Sequence, residues 1–402
     1  MSLTLGTADR WRYQETLLSL CTVAMFATMV ARISLSPLVP AITSTYGVSN
    51  GLMGVVLTGM WFAYGVVQYP SGMVANRFGE RATILLALGG TALACLLISL
   101  APVFALFALG AVLLGTVAGL HYSVATALLS RTYDNVGSAV GIHHLGGGIG
   151  GLLGPIGAAW LLEQFTWQHA VVAAGAVSAV AFVLFHWRVR PTEPRVAAGG
   201  GTSGADALAA LKTPTVTGLV VVMMLYMFVM QAVISFLPTF LVEFQGQSAG
   251  VAGTVFAAFF IVNTVMQTGI GFLADYVPRD WLVGSCLVFA VAGFGLLVTG
   301  RGLVLVGVAS LLLGVGTCGM TVLIAQVMDS LPSGDRGTTF GLTQSIVMVG
   351  GSLGSVVAGV LADTVGWGGS FTVLGALLAV TLVGYVTGTG IDRAEPAASS
   401  SD

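Results

Sequence analysis

Twelve stretches of this chain are apolar for about twenty residues each, the length that a helix needs to cross the hydrocarbon of a bilayer. They run over 17–40, 51–74, 82–101, 103–129, 137–162, 168–188, 215–242, 250–275, 281–299, 302–329, 337–362 and 369–390. Only 7% of the residues are charged, against about 25% in soluble proteins. That shortfall excludes an ordinary soluble enzyme and a disordered scaffold. The net charge of −2 gives no reason to expect a nucleic-acid partner. In lipid the backbone must satisfy its own polar groups, which a helix does. Barrel strands alternate apolar and polar residues, whereas these runs are apolar on all sides. The expected fold class is therefore an all-α membrane protein of twelve transmembrane helices, with the lipid bilayer as its first partner.

The basic residues orient the spans. Arg10, Arg12, Arg77, Arg81, Arg131, Arg188, Arg190, Arg195, Lys212, Arg279, Arg336 and Arg393 all fall on one side of the twelve runs. Arg301 alone falls on the other, and Arg32 lies inside a span. The positive-inside rule then puts both termini in the cytoplasm of a multi-pass plasma-membrane protein. One long connection, 189–213, carries Pro191, Pro194 and three consecutive glycines from Gly199, and reads as a flexible cytoplasmic linker. It separates an N-terminal six-helix bundle (1–188) from a C-terminal one (214–390), followed by a small polar tail (391–402) expected to be disordered.

The two bundles are copies. At an offset of 199 residues Ser36 meets Ser235, Gly51 meets Gly250, Gln68 meets Gln267 and Gly115 meets Gly314. From the fifth span the offset is 200, and Gly150 meets Gly350, Gly154 meets Gly354 and Trp167 meets Trp367. Six spans per copy is an even number, so the copies run parallel about an axis along the membrane normal.

After the second span the chain reads Gly72-Met-Val-Ala-Asn76-Arg77-Phe-Gly79-Glu-Arg81. This resembles the Gly-x-Leu-Ala-Asp-Arg-x-Gly-Arg-Arg signature of the major facilitator superfamily, and Gly271-Phe-Leu-Ala-Asp275 begins a second copy. The resemblance covers nearly the whole chain. It implies two pseudo-symmetric six-helix bundles, alternating access, and a cytoplasmic gate drawn from Gly72, Asn76, Arg77, Gly79, Arg81 and Asp275. Asn76 stands where the signature has Asp, so the first copy lacks that charge.

The fifth span holds Gly146-Gly147-Gly148-Ile-Gly150-Gly151-Leu-Leu-Gly154-Pro155. A dinucleotide fingerprint needs a strand before it and an open helix N-terminus, and a span offers neither. Close helix packing is the expected role of Gly150, Gly154 and Pro155. The same residues partly resemble a fifth-helix signature of superfamily antiporters. Gly201-Thr-Ser203-Gly204 and Gly350-Gly-Ser352-Leu-Gly354 mimic protease motifs, but the first lies in the linker and the second in mid-span. No HExxH and no Walker motif occurs, so neither an enzyme nor direct ATP coupling is expected. Cys21, Cys95, Cys286 and Cys318 lie in apolar runs without a nearby ligand pattern, and neither a metal nor another cofactor is expected.

Arg32 is the one formal charge deep in a span, at an insertion cost of about 2.5–3.5 kcal/mol. Thr28, Arg32 and Ser36 share a helix face. In the second span Trp61, Tyr64 and Gln68 share another, and their repeat partners are Phe260, Asn263 and Gln267. The repeat partner of Arg32 is Gln231. These positions give a candidate substrate site of Arg32, Tyr64, Gln68, Gln231, Asn263 and Gln267. His121, His143 and His144 form a candidate proton relay, since no Asp or Glu lies deep in a span.

Met29-Val-Ala-Arg32-Ile-Ser-Leu-Ser36-Pro, with Ala63-Tyr64-Gly65, resembles the first two helices of organic-anion carriers in that superfamily. Those with a second Arg in helix seven have Gln231 as its counterpart here, which favours a monoanion over a phosphate ester. The expected function is secondary transport of a small organic anion by a monomer. Efflux of apolar drugs is the alternative, and a receptor that binds without transporting is the alternative of another class.

Overall fold

The computed structural model describes residues 7–193, 213–274, 276–330 and 336–394, and all regular structure among them is helical. In chain order the helices are α1 (Thr7–Ile33), α2 (Leu35–Tyr46), α3 (Asn50–Phe78), α4 (Glu80–Ser99), α5 (Phe104–Thr132), α6 (Val136–Gln164) and α7 (Trp167–Arg188). Then follow α8 (Pro214–Glu243), α9 (Ala249–Leu273), α10 (Arg279–Thr299), α11 (Leu303–Gly316), α12 (Gly319–Ser330) and α13 (Arg336–Ala394). Most of the 189–213 linker and the tail from Glu395 lie outside the described residues, as does Asp275. Helix α13 runs four residues into the 391–402 tail, where the composition alone predicts disorder.

Helix breaks have local causes. Ser34 keeps helical angles between α1 and α2, but Pro37 has no N–H for the Ile33 carbonyl, so the bond ladder lapses there. Between α11 and α12 the Cys318 N–H bonds Val315 rather than Gly314, at 3.0 Å. The freed Gly314 carbonyl accepts from Thr317 Oγ1 at 2.9 Å and faces Cys318 Sγ at 3.3 Å. Each broken pair is one span by length. The 342–388 stretch is 47 residues long, enough for two spans, and turns at Gly366 with φ 74°. That conformation suits glycine. The other ten spans and this pair make twelve.

The chain divides into two compact units. The first holds 1–48, 55–199 and 248–257; the second holds 49–54, 200–247 and 258–402. In the first unit, small residues on α1 (Cys21, Ala24 and Ala27) let α4, α5 and α7 close on it through Ile84, Leu88, Val124, Leu128 and Phe185. Tyr46, Phe104, Phe107 and Trp167 cluster at the other end, and the Trp167 indole N–H donates to Thr45 at 3.0 Å. The second unit repeats the plan. Phe236 and Phe371 pack against Trp367, whose indole N–H donates to Glu243 at 2.6 Å, and Phe240 and Phe294 pack on Phe371. In both units the repeated tryptophan ties the last helix of its copy to the end of the first. Trp160, Trp187 and Trp281 stay exposed near span ends, where indoles sit at a membrane interface.

Each unit takes in a short stretch, 49–54 or 248–257, that belongs by sequence to the other copy. In the second unit Asp363 accepts from the N–H groups of Asn50 and Gly51, at 3.0 and 2.7 Å, and so caps the start of α3. In the first unit Glu163 accepts from the Gly250 N–H at 2.7 Å and caps the start of α9. Glu163 and Asp363 are repeat partners at offset 200, and a carboxylate satisfies otherwise orphaned donors at a helix start.

Candidate functional site

Arg32 ends α1 and is 3% exposed. Its Nε donates to the Thr28 carbonyl at 3.1 Å, which directs the guanidinium along the helix, and Nη2 lies 3.9 Å from Met29 Sδ. The guanidinium carbon stands 4.0 Å from the centre of the Tyr64 ring and 5.3 Å from that of Trp61. The two rings meet edge to face at 5.8 Å. Glycines on α5 admit α3 this closely: a Cβ at Gly119 would fall 2.6 Å from the Tyr64 carbonyl, and one at Gly115 would fall 2.0 Å from the Met60 carbonyl.

The cation has aromatic faces but, among the described residues, no carboxylate. The ion pairs among the described residues are Arg131 with Glu80 and Arg279 with Asp329, both at span ends. A desolvated cation–π contact contributes about 2 kcal/mol. That offsets much of the insertion cost and leaves the planar fork without a bidentate partner.

An imidazole pair lies where α5 faces α6. His121 on α5 and His143 on α6 are both fully buried, with ring centres 5.3 Å apart. Neither nitrogen of His121 has a hydrogen-bond partner. His144 is different: its ring centre is 6.0 Å from that of His143, and its Nε2 is 3.2 Å from the Tyr122 hydroxyl. Gln68 is half-buried on the Tyr64 face. The first unit thus buries Arg32, Tyr64, His121 and His143, while His144 is exposed.

In the second unit Gln231 is 2% exposed, and its Nε2 has no hydrogen-bond partner. Its carbonyl accepts from Ser355, which also bonds Ser235 at 2.7 Å. Asn263 donates to Thr317 Oγ1 at 2.8 Å and so belongs to the break between α11 and α12. Gln267 is exposed.

The expected gate residues are seen in the first unit only, because Asp275 lies outside the described residues. Gly79 has φ 85°, and a Cβ there would fall 2.3 Å from the Thr192 carbonyl. Arg81 donates to the carbonyls of Val189 and His186 at 2.7 and 2.6 Å, tying α4 to the chain leaving α7. Arg77 lies over Phe78, while Asn76 is half-buried and Gly72 exposed. On α6, Cβ atoms at Gly146 and Gly150 would fall 2.2 Å from the Thr22 carbonyl and 2.9 Å from Met29 Cβ. Gly154 takes the Ser34 hydroxyl on its carbonyl at 3.3 Å, and Pro155 follows inside the helix.

The sequence profile described as Major Facilitator Superfamily matches residues 21–250 and again 219–401. The chain belongs to this superfamily. As a superfamily member it is a multi-pass membrane transporter of small molecules. The "Multidrug resistance protein MdtL" of Escherichia coli (strain K12 / DH10B) is 26% identical over 318 residues, 78% of this chain and 79% of the relative. The "Uncharacterized MFS-type transporter YhcA" of Bacillus subtilis (strain 168) is 27% identical over 181 residues. That match takes in 44% of this chain and only 34% of YhcA, about a third of its length. Among solved structures, a bacterial homologue of the human lysosomal transporter Spinster, inward-facing and unoccupied, superposes with a TM-score of 0.78 at 17% identity. It covers 93% of this chain and 96% of its own, and carries the likeness of fold.

Sequence reasoning leaves Trp61 out of the site, although its spacing from Tyr64 is the available signal. Nothing in the sequence marks the bond from Asn263 to Thr317, because the two lie 54 residues apart on different helices.

Proposed function

We propose that this transporter carries a small organic anion, a monocarboxylate rather than a phosphate ester, by alternating access in the plasma membrane, with both termini cytoplasmic. The observation that carries the reading is Arg32: a buried guanidinium on two aromatic faces, with no carboxylate among the described residues paired to it. An anion supplies the missing charge, the fork matches a carboxylate at two points, and Tyr64 and Trp61 offer walls to an apolar or aromatic body. Gln68 supplies a further hydrogen bond. In the second unit Gln231, whose buried amide nitrogen has no partner, is the candidate for substrate contact. Asn263 is already engaged by Thr317.

A thermal-shift screen of purified protein against carboxylates, phosphate esters and lipophilic cations, repeated with Arg32→Gln, tests this. Stabilisation by a carboxylate that disappears in the variant supports it. A second reading, export of lipophilic drugs, draws on the relationship to MdtL. Stabilisation by lipophilic cations, unchanged in Arg32→Gln, would establish that reading instead.

A further inference from the structure

We propose that the groove between α6 and α7, floored by α1, is a lipid site that holds one acyl chain of a phospholipid from the leaflet beside the α6–α7 turn. The proposal does not depend on the anion reading above.

Small residues open the groove. Gly154, Gly157 and Ala158 line its α6 wall, and Ala170, Ala173 and Ala174 line its α7 wall. Phe26, Val30 and Ser34 of α1 recur every four residues and form the floor. A Cβ at Gly157 would meet nothing within 4 Å, and one at Gly154 would first meet the Ser34 hydroxyl, at 3.3 Å. The second copy is built differently. At the offset of 200, Val357 stands for Gly157, Val373 for Ala173 and Leu374 for Ala174. A Cβ at Gly354, the counterpart of Gly154, would collide with the Phe228 carbonyl, so α13 lies closer on α8 than α6 does on α1. The second copy thus carries branched side chains where the first stays small.

The groove holds a cavity of about 220 Å³. Its polar side chain is Ser34, whose hydroxyl already donates to the Gly154 carbonyl at 3.3 Å. Such a lining does not offer a water the two to four polar partners that would hold it. Left empty, the walls forfeit dispersion contacts. Hydrocarbon suits the space, and the position supplies it. No Asp, Glu, Lys or Arg occurs in 137–162 or 167–187. Leu153 of α6 and Val172 and Val180 of α7 are exposed along the groove, which is therefore continuous with the lipid-facing surface of these spans. From Leu153 to Leu161 the α6 wall is eight residues long, about 12 Å along the axis. Leu161 lies within a turn of the end of α6, and Ala170 within a turn of the start of α7. Exposed Trp160 marks the membrane interface at that level. The groove thus starts near the headgroups and runs inward along the lipid chains. Its volume over that length has the cross-section of one alkyl chain, far below that of a helix about 10–12 Å across. The site is distinct from the anion site. Arg32 turns to Tyr64 and Trp61 of α3, while Val30 and Ser34 face the groove from the other side of α1.

Photolysis of the full-length protein in nanodiscs, with a phosphatidylcholine bearing a diazirine on its acyl chain, tests the site without a variant. Adducts should concentrate on 153–161 and 170–177, above their level on the exposed face of α10. Native mass spectrometry of detergent-purified protein with added phosphatidylcholine gives the count. One phospholipid should stay bound under washing that strips the others. Gly157→Val and Ala173→Val, which install the residues of the second copy, should lose that lipid. Gly307→Val on α11, where a Cβ likewise meets nothing within 4 Å, should keep it. Adducts spread evenly over the lipid-facing helices overturn the proposal whether or not the variants fold. Lipid retention unchanged in groove variants that melt like wild type overturns it too. A dimer that both groove substitutions dissociate, with no lipid retained by wild type, assigns the groove to a second copy of the chain instead.

Discussion

At the scale of single residues, Arg32 stands out in the amino-acid sequence alone, because its cost in a span demands a reason. The fold adds what sequence spacing could not supply: the guanidinium rests on Tyr64 and Trp61, and no acid among the described residues meets it. Arg32→Lys keeps the charge but loses the fork. It should bind carboxylates more weakly than wild type and more tightly than Arg32→Gln, which should lose about 2–5 kcal/mol in a direct binding measurement. Equal affinities in Arg32→Lys and Arg32→Gln would count against a charge-assisted contact. Asn263 shows the limit of repeat logic. Its alignment with Tyr64 suggests a substrate contact, and in the fold its amide nitrogen donates to Thr317, across a pairing that only the fold creates. Asn263→Ala should lower thermal stability by about 1 kcal/mol while leaving carboxylate affinity near wild type. An affinity loss at unchanged stability would return Asn263 to the substrate site.

At the scale of elements, the twelve runs are legible because length and apolarity are properties of the chain itself. Helix interruptions are less so. Pro37 marks the first in sequence, but the break at Thr317 lies among Gly314, Gly316 and Gly319, which weaken a helix without fixing where it parts, and side chains that compete for the Gly314 carbonyl set the place. The glycines of α6 are legible as a group, though not individually. Gly146 faces α1 so closely that a Cβ would collide with the Thr22 carbonyl, whereas a Cβ at Gly157 meets nothing within 4 Å. Gly146→Ala should therefore destabilise by about 1–3 kcal/mol through overpacking. Gly157→Ala, in the same helix, should be neutral or stabilising by up to about 1 kcal/mol, since alanine is the better helix former. Melting temperatures of the two variants in one detergent check the pair, and a common sign would contradict the packing of α6 on α1.

At the scale of the whole molecule, the repeat and the distribution of charge carry the information. The offset of 199 to 200 residues aligns Trp167 with Trp367 and Glu163 with Asp363, and each pair makes the same kind of bond in its own surroundings. Orientation is a separate matter, because it depends on the membrane and on where the basic residues were left during insertion. The chain itself supplies a clean background for testing it: Cys21, Cys95, Cys286 and Cys318 are all buried, so a membrane-impermeant maleimide should find no native target. Asp134, between α5 and α6, is exposed at the basic end, and Gln164, at the close of α6, is exposed at the opposite end. In intact cells expressing the protein, Gln164→Cys should label and Asp134→Cys should not; after permeabilisation both should label. The positive-inside assignment requires that order, since twelve of the fourteen basic residues share the side of Asp134. Labelling of Asp134→Cys in intact cells, with Gln164→Cys protected, would invert the orientation while leaving the helices intact. Labelling of both before permeabilisation would mean that α6 does not separate them across the bilayer, and the assignment of spans in the first copy would then be wrong.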